Sequence, residues 1–359
     1  MAIPTPIPVF SHFSDDAAVN QARDALAWYA QFAMYAEDLY VHDSSDPRGD
    51  IRFSPDWGFV DWLRTTVAAD VVGDIEHWLL GLNDTTYFGA IFRHQQEPDQ
   101  YLITIRGTES GPEWAQNVVA TPDVLHGMTL ALTSQLIKKG GNAKAHPDGG
   151  FVPAGFYGIY EAMTLGAAAT ISPPAAATGI TQKIGSLQAT NRRTVGDASV
   201  TVVGHSLGAA VATYLSYDLA KNSGFAQVNT YLLATPHPGD KIYAGHFTDT
   251  GVNCVSIAYE RDLVPAVPPP PLYVPLAETV TIRASGSPIA QNEILANATI
   301  GDSIGGNHHA VCYAAMLSST VTKNIACYAL DKACVSCIQS PSAQPQLLQG
   351  SNFPANPWQ

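Results

Sequence analysis

Val202-Val203-Gly204-His205-Ser206-Leu207-Gly208-Ala209-Ala210 is the stretch that decides the fold. It carries the pattern G-x-S-x-G. The β-branched residues Val200 and Val202 lead into it, and a good helix sequence follows. A strand that turns sharply into a helix needs glycine on both sides of the turn, because side chains there collide with the returning backbone. The serine at the apex is then exposed above the strand. The helix that starts just past it aims main-chain N–H groups at any negative charge forming nearby. Ser206 is therefore the candidate nucleophile of a strand–turn–helix unit, and Leu207 is the first candidate donor to an oxyanion.

Composition bounds what such a unit is part of. The chain has 359 residues with 46% hydrophobic content, enough for one large α/β domain. Lys and Arg number 18 against 31 Asp and Glu, a formal net charge of -13. That surface repels phosphate backbones, which argues against a nucleic-acid partner. Charged residues make up only 14% of the chain, which suits contact with neutral, apolar material. No apolar run is long enough to cross a membrane as a helix. Met1 to Phe10 (MAIPTPIPVF) lacks a basic n-region and holds three prolines, so it does not read as a secretory signal. A cytoplasmic location and an unrecognised export route both remain open on sequence alone. Five cysteines give no complete disulfide framework. Cys334-x-x-Cys337 has no second pair beside it, and no metal site is expected.

Along the chain, strands alternate with helices. Ser14 is placed to cap a helix from Asp15 to about Val41, with Leu26, Tyr29, Ala30, Ala33 and Ala36 on one buried face. Trp78 to Leu82, Thr86 to Arg93 and Tyr101 to Arg106 read as strands, separated by the turn sequences Asn83-Asp84 and Glu97-Pro98-Asp99. Ile180 to Arg193 reads as a helix, Ser199 to Val203 as a strand and Ser206 to Asn222 as a helix. Val228 to Leu233 and Asn253 to Ala258 are further strands, and Ala310 to Thr322 a last apolar helix. The expectation is an α/β fold: a mostly parallel sheet with helices on both faces. Residues 1–338 are expected to form a single domain, and 339–359, rich in Pro and Gln, a surface tail. Thr121 to Gly150, Gly166 to Gly179 and the polyproline stretch Pro265 to Pro275 look like elaborations on it.

A serine hydroxyl is a weak nucleophile until a base takes its proton, and the base must be held in one tautomer by a further group. Downstream of Ser206, Asp262 lies just after the strand Asn253 to Ala258. Glu260 is a nearer but weaker rival, and Asp240 sits in an earlier loop. A glycine-rich loop delivers His308 and His309 ahead of the last helix. His205, His237 and His246 are the other histidines in range, although His205, adjacent to the nucleophile, does not easily turn back to it. A second oxyanion donor is expected at the end of Tyr101 to Arg106, where Thr108 follows Gly107.

These segments together resemble the class 3, filamentous-fungal-type triacylglycerol lipases of the α/β-hydrolase superfamily. The resemblance is carried by Arg106-Gly107-Thr108 with Glu113-Trp114-Ala115-Gln116-Asn117, by Gly155-Phe156 with Tyr160, and by the elbow Gly204 to Gly208. Ala234 to Asp240, Arg261 to Pro265 and His308 with Tyr313 extend it in order. It departs from the family pattern at Val152-Pro153-Ala154, where a histidine is usual, and at His237, where an arginine is usual. The resemblance implies a triad of Ser206, Asp262 and His308, the last preferred over His309 because of its spacing to Tyr313. It implies an oxyanion hole of Thr108 and Leu207, no cofactor, and a neutral lipid ester as substrate. It also implies a lid over Gly111 to Val124, extendable to Ile137; packing of that segment on the core is the alternative. A feruloyl-type or other soluble-ester esterase, and an inactive lipid-binding or scaffold protein, are the competing functional readings.

Overall fold

Ser199–His205 (β7) carries three valines, and all but its first residue are buried. A strand buried on both faces belongs in the middle of a sheet. In the computed structural model it is central, with Gln100–Ile105 (β3) on one side and Gln227–Leu233 (β8) on the other, both parallel to it. Described are residues 25–30, 32–33, 36, 57–65, 86–107, 143–166, 180–181, 184–185, 198–259, 262, 264–266, 268, 271–277, 279–282, 308 and 310–317.

Beyond β8 lie Asn253–Tyr259 (β9) and Thr279–Ile282 (β10), again parallel. Beyond β3 the direction alternates through Thr86–His94 (β2), Trp57–Thr65 (β1) and Met163–Leu165 (β6). The order β10-β9-β8-β7-β3-β2-β1-β6 thus joins a parallel half, which holds the elbow, to an antiparallel half. A separate hairpin pairs Ala143–Ala145 (β4) with Phe151–Pro153 (β5). The strands expected at Thr86, Tyr101, Ser199, Val228 and Asn253 are present with ends moved by one or two residues. β1 is an addition, and so are the short strands β4, β5, β6 and β10. The expected strand Trp78 to Leu82 lies outside the described residues.

Each sheet face carries its own apolar cluster. On one face, helical residues Leu26, Ala27, Tyr29, Ala30, Phe32 and Ala33 pack with Tyr231, Val203 and Val255. The Thr104 hydroxyl ties the segment to β3 by donating to the Phe32 carbonyl at 2.8 Å. Ala310–Leu317 (the C-terminal helix, called α4 below) joins that cluster through Ala310, Tyr313, Ala314 and Leu317. On the other face lie Ala154–Glu161 (α1), Leu207–Asn222 (α2) and Lys241–Asp249 (α3), packed on Ile103, Val200, Val202 and Leu232. Helices on both faces give the expected layering. α3 is a further addition to the sequence expectation; Asp240 caps it, its Oδ1 accepting from the Ile242 and Tyr243 N–H groups at 3.0 and 2.9 Å. Among the described residues no helix is long and apolar enough to cross a membrane. The segment Gly111 to Ile137 read as a lid, the stretch Gly166 to Gly179 apart from Gly166, and the tail 339–359 lie outside the described residues.

Candidate active site

β7 ends at His205, and α2 begins at Leu207, so Ser206 alone makes the reversal. Its backbone sits at φ 56°, ψ −130°, a conformation that L-residues seldom adopt and that costs on the order of 1–3 kcal/mol. The glycines explain how the chain tolerates it. A Cβ on Gly204 would lie 2.5 Å from the Gly208 carbonyl oxygen, and one on Gly208 would lie 2.2 Å from the Arg106 carbonyl oxygen. The elbow is therefore pressed against the exit of β3. The Ser206 N–H donates to the Leu233 carbonyl of β8 at 2.9 Å, anchoring the turn on its other side.

Serine at a helix start commonly caps the first turn with its hydroxyl. Ser206 does not. Its Oγ lies 2.7 Å from Nε2 of His308 instead. The opposite ring nitrogen of His308, Nδ1, lies 2.9 Å from Asp262 Oδ2. A carboxylate accepts, so Nδ1 carries the proton, and Nε2 is left to accept from the serine hydroxyl. Ser206, Asp262 and His308 are all buried, 102 residues apart at the widest, and joined in one hydrogen-bonded line.

Asp262 is itself held in place. Its N–H donates to the Tyr259 carbonyl at 2.9 Å in the turn that leaves β9, and its Oδ1 accepts from the Val264 N–H at 2.9 Å. Its Oδ2 accepts a second proton at 2.7 Å from the hydroxyl of Tyr313 on α4. That hydroxyl accepts in turn from the Tyr259 N–H at 3.0 Å. Three donors thus meet one buried carboxylate, the condition for keeping it charged away from water. Burial, the adjacent Asp262 charge and the hydrogen bond to it all push the Tyr313 phenol far above its ordinary pKa, so it stays a donor. The sequence had singled out Tyr313 only for its spacing from His308.

The remaining candidates fall elsewhere. Asp240 serves α3. His237 is buried in the loop after β8, where Nδ1 lies 2.7 Å from the Pro268 carbonyl; burial lowers its pKa, partly offset by that bond. His246 lies on α3 beside Gly149. His205 does reach toward the site, though not to the serine: its Nε2 lies 2.6 Å from the main-chain oxygen of His308. Leu207 opens α2, so its N–H is one of the first-turn donors that no helical carbonyl satisfies. Thr108, Glu260 and His309 lie outside the described residues. The described chain next to Thr108 reaches Gly107, and the preceding Ile105 pairs with Gly204 of the elbow. Among the described residues no group of three or more His, Cys, Asp or Glu is arranged to hold a metal ion.

Residues 102–272 match the family described as Lipase (class 3), a segment that spans the elbow and the Asp262 loop. Over 278 residues the chain is 25% identical to phospholipase A(1) DAD1, chloroplastic, of Arabidopsis thaliana, covering 70% of this chain and 57% of that one. Over 73 residues it is 37% identical to a lipase of Rhizomucor miehei, 20% of either chain. The solved Rhizomucor miehei lipase propeptide complex in its native form superposes with a TM-score of 0.43 at 19% identity, covering 69% of this chain and 64% of that one. The chain thus spans less than two thirds of the length of each of these relatives.

Proposed function

We propose that this chain, carrying a class 3 lipase segment on a mostly parallel α/β sheet, is a serine carboxylic-ester hydrolase acting on the acyl esters of lipids. The observation that carries the reading is the unbroken line from the Ser206 hydroxyl through both nitrogens of His308 to Asp262. Ser206 Oγ attacks the ester carbonyl while its proton passes to His308 Nε2. The imidazolium that results is stabilised by the Asp262 carboxylate, which keeps its own proton count unchanged. The tetrahedral oxyanion accepts from the Leu207 N–H at the start of α2 and, as the resemblance to class 3 lipases implies, from Thr108. Collapse expels the alcohol, which leaves with the proton from His308. Water then attacks the acyl-Ser206 ester while giving a proton to His308, and collapse breaks the acyl–Oγ bond, releasing the carboxylic acid as His308 returns the proton to Ser206 Oγ. No step in this scheme requires a metal or cofactor.

Neutral acylglycerol is the proposed substrate, in keeping with the weakly charged, acidic composition. The test is a rate comparison on an emulsified triglyceride, phosphatidylcholine vesicles, and dissolved p-nitrophenyl esters from short to long chains. Highest turnover on the emulsion supports the acylglycerol reading. Preference for phosphatidylcholine moves the substrate to phospholipid esters, the class in the name of the Arabidopsis relative. Preference for dissolved esters moves it to a soluble-ester esterase. A folded protein that cleaves none of them overturns the hydrolase reading.

A further inference from the structure

The face of β7 that carries Val203 also carries His205, since side chains two apart share a face. That face is packed with Val203, Leu233, Tyr259, Tyr313 and Ala310. A valine or leucine would fill such a position. A buried imidazole is costly there unless it is hydrogen-bonded. Its partner is the main-chain carbonyl oxygen of His308, 2.6 Å from Nε2. The two rings lie 4.9 Å apart at 37°, and the His205 ring meets Tyr313 edge-on at 6.3 Å.

We infer that His205 is a positioning residue for the general base: its Nε2–H, donating to the His308 carbonyl, ties the loop that delivers the imidazole to the turn that presents the nucleophile. The inference rests on the proposed function for the role of His308. A carbonyl oxygen only accepts, so the proton is on Nε2 of His205, and that nitrogen cannot act as a base. Consecutive residues of the elbow therefore hold the same histidine at two points. Ser206 meets its ring, and His205 meets its backbone. The Asp262 loop and the packing of α4 also set the distance from Nε2 to Ser206 Oγ, but they reach the elbow from distant parts of the chain, whereas the His205 contact is made by the residue next to the nucleophile. With it, base and nucleophile share one rigid reference. This matters because a misplacement of about 1 Å is able to cost about 100-fold in rate.

The experiment compares wild type, His205→Leu, His205→Gln and Ser206→Ala on a dissolved short-chain p-nitrophenyl ester, with thermal melting of each. Glutamine places an amide N–H near the position of Nε2, and leucine fills the space without a donor. His205→Leu is expected to lower kcat by about 10- to 100-fold while KM stays within about twofold. His205→Gln is expected to recover kcat to within about fivefold of wild type. Phosphonylation of Ser206 by a p-nitrophenyl phosphonate should slow in His205→Leu by the same factor as kcat. A His205→Leu enzyme within about twofold of wild-type kcat, or equal losses in the leucine and glutamine variants, overturns the inference. If His205→Leu does not fold, the ¹⁵N-histidine spectrum of the wild type decides: a proton on Nε2 of His205 supports the inference, and a proton on Nδ1 alone overturns it. Loss of activity in Ser206→Ala with full activity in His205→Leu rejects only the positioning role. Full activity in Ser206→Ala rejects the hydrolase reading itself.

Discussion

His308 and His146 are each 7% exposed, His308 beside the ring of His205 and His146 among three tyrosines. They differ in what their ring nitrogens meet. His308 has a carboxylate on one ring nitrogen and a hydroxyl on the other. His146, between β4 and β5, meets the rings of Tyr157, Tyr217 and Tyr243 edge-on at 5.6, 4.8 and 5.1 Å. Its Nδ1 accepts from the Asp148 N–H at 3.3 Å. Burial lowers its pKa, and the nearby Asp148 and Asp218 charges only partly oppose that. The lesson is that burial alone does not make a histidine a base. The partner on its far nitrogen does, by fixing the tautomer and stabilising the charge that the reaction creates.

The comparison breaks most completely at the serine. Ser206→Ala, or His308→Ala, is expected to lower ester turnover on the order of 10⁶-fold with melting temperature retained, since nucleophile and base act as a unit. Activity within tenfold of wild type would show that the hydrogen-bonded line is not used for this reaction. Asp262→Asn comes next, with a loss on the order of 10⁴-fold in kcat, because the amide presents a donor to Nδ1 and reverses the tautomer. A small loss there, paired with a large one in Glu260→Gln, would move the carboxylate role two residues back. Removing only the Tyr313 hydroxyl in Tyr313→Phe leaves the carboxylate with two donors. A hydrogen bond to a charged group contributes about 1.5–3 kcal/mol, so a loss of kcat by at least about tenfold is expected. An unchanged kcat would show that the His308 and Val264 contacts suffice.

The smallest effect on rate belongs to the other histidine. His146→Phe should leave kcat and KM within about twofold of wild type. Its signature lies in stability against pH. A base whose pKa is lower in the folded than in the unfolded protein binds fewer protons when folded, so acid favours unfolding. The contribution of His146 to stability is thus full above its unfolded value of 6.5 and is lost as pH falls from there toward the lower folded value. Denaturant unfolding of wild type and His146→Phe at pH 7.5 and at successively lower pH should show a shallower acid loss in the variant. His237, also depressed by burial, keeps part of the slope in both. Equal slopes would mean that His146 takes up protons equally in the folded and the unfolded protein, and that burial does not depress it.

Local physics made the parallel half of the sheet legible in the chain. β7, β8 and β9 are apolar, β-branched runs of ordinary length between turn residues, and α2 follows its glycines directly. The far edge of the antiparallel half and the separate hairpin were harder. β1 shifts register twice, between Phe59 and Asp61 and between Leu63 and Arg64, so its side chains do not keep a period of two. β4, β5 and β6 have three residues each, too few for any period to show. The helix α3 announced itself only by Asp240, an N-cap at the end of a segment read as a loop.

The sequence by itself determined the candidate nucleophile, because Gly204, Ser206 and Gly208 are dictated by one turn whose sterics are local. It also narrowed the carboxylate and the base to a few residues, through the order of segments along the chain. Which of them converge was decided by tertiary structure alone. Asp262 and His308 reach Ser206 from loops 56 and 102 residues further on, and their meeting depends on β8, β9 and α4 being laid beside β7. The contacts of Tyr313 and His205 belong to that second level. A hydroxyl about one turn inside a helix and an imidazole facing the apolar side of a strand have no local period to betray them. Their partners exist only once helix, strand and loop have packed.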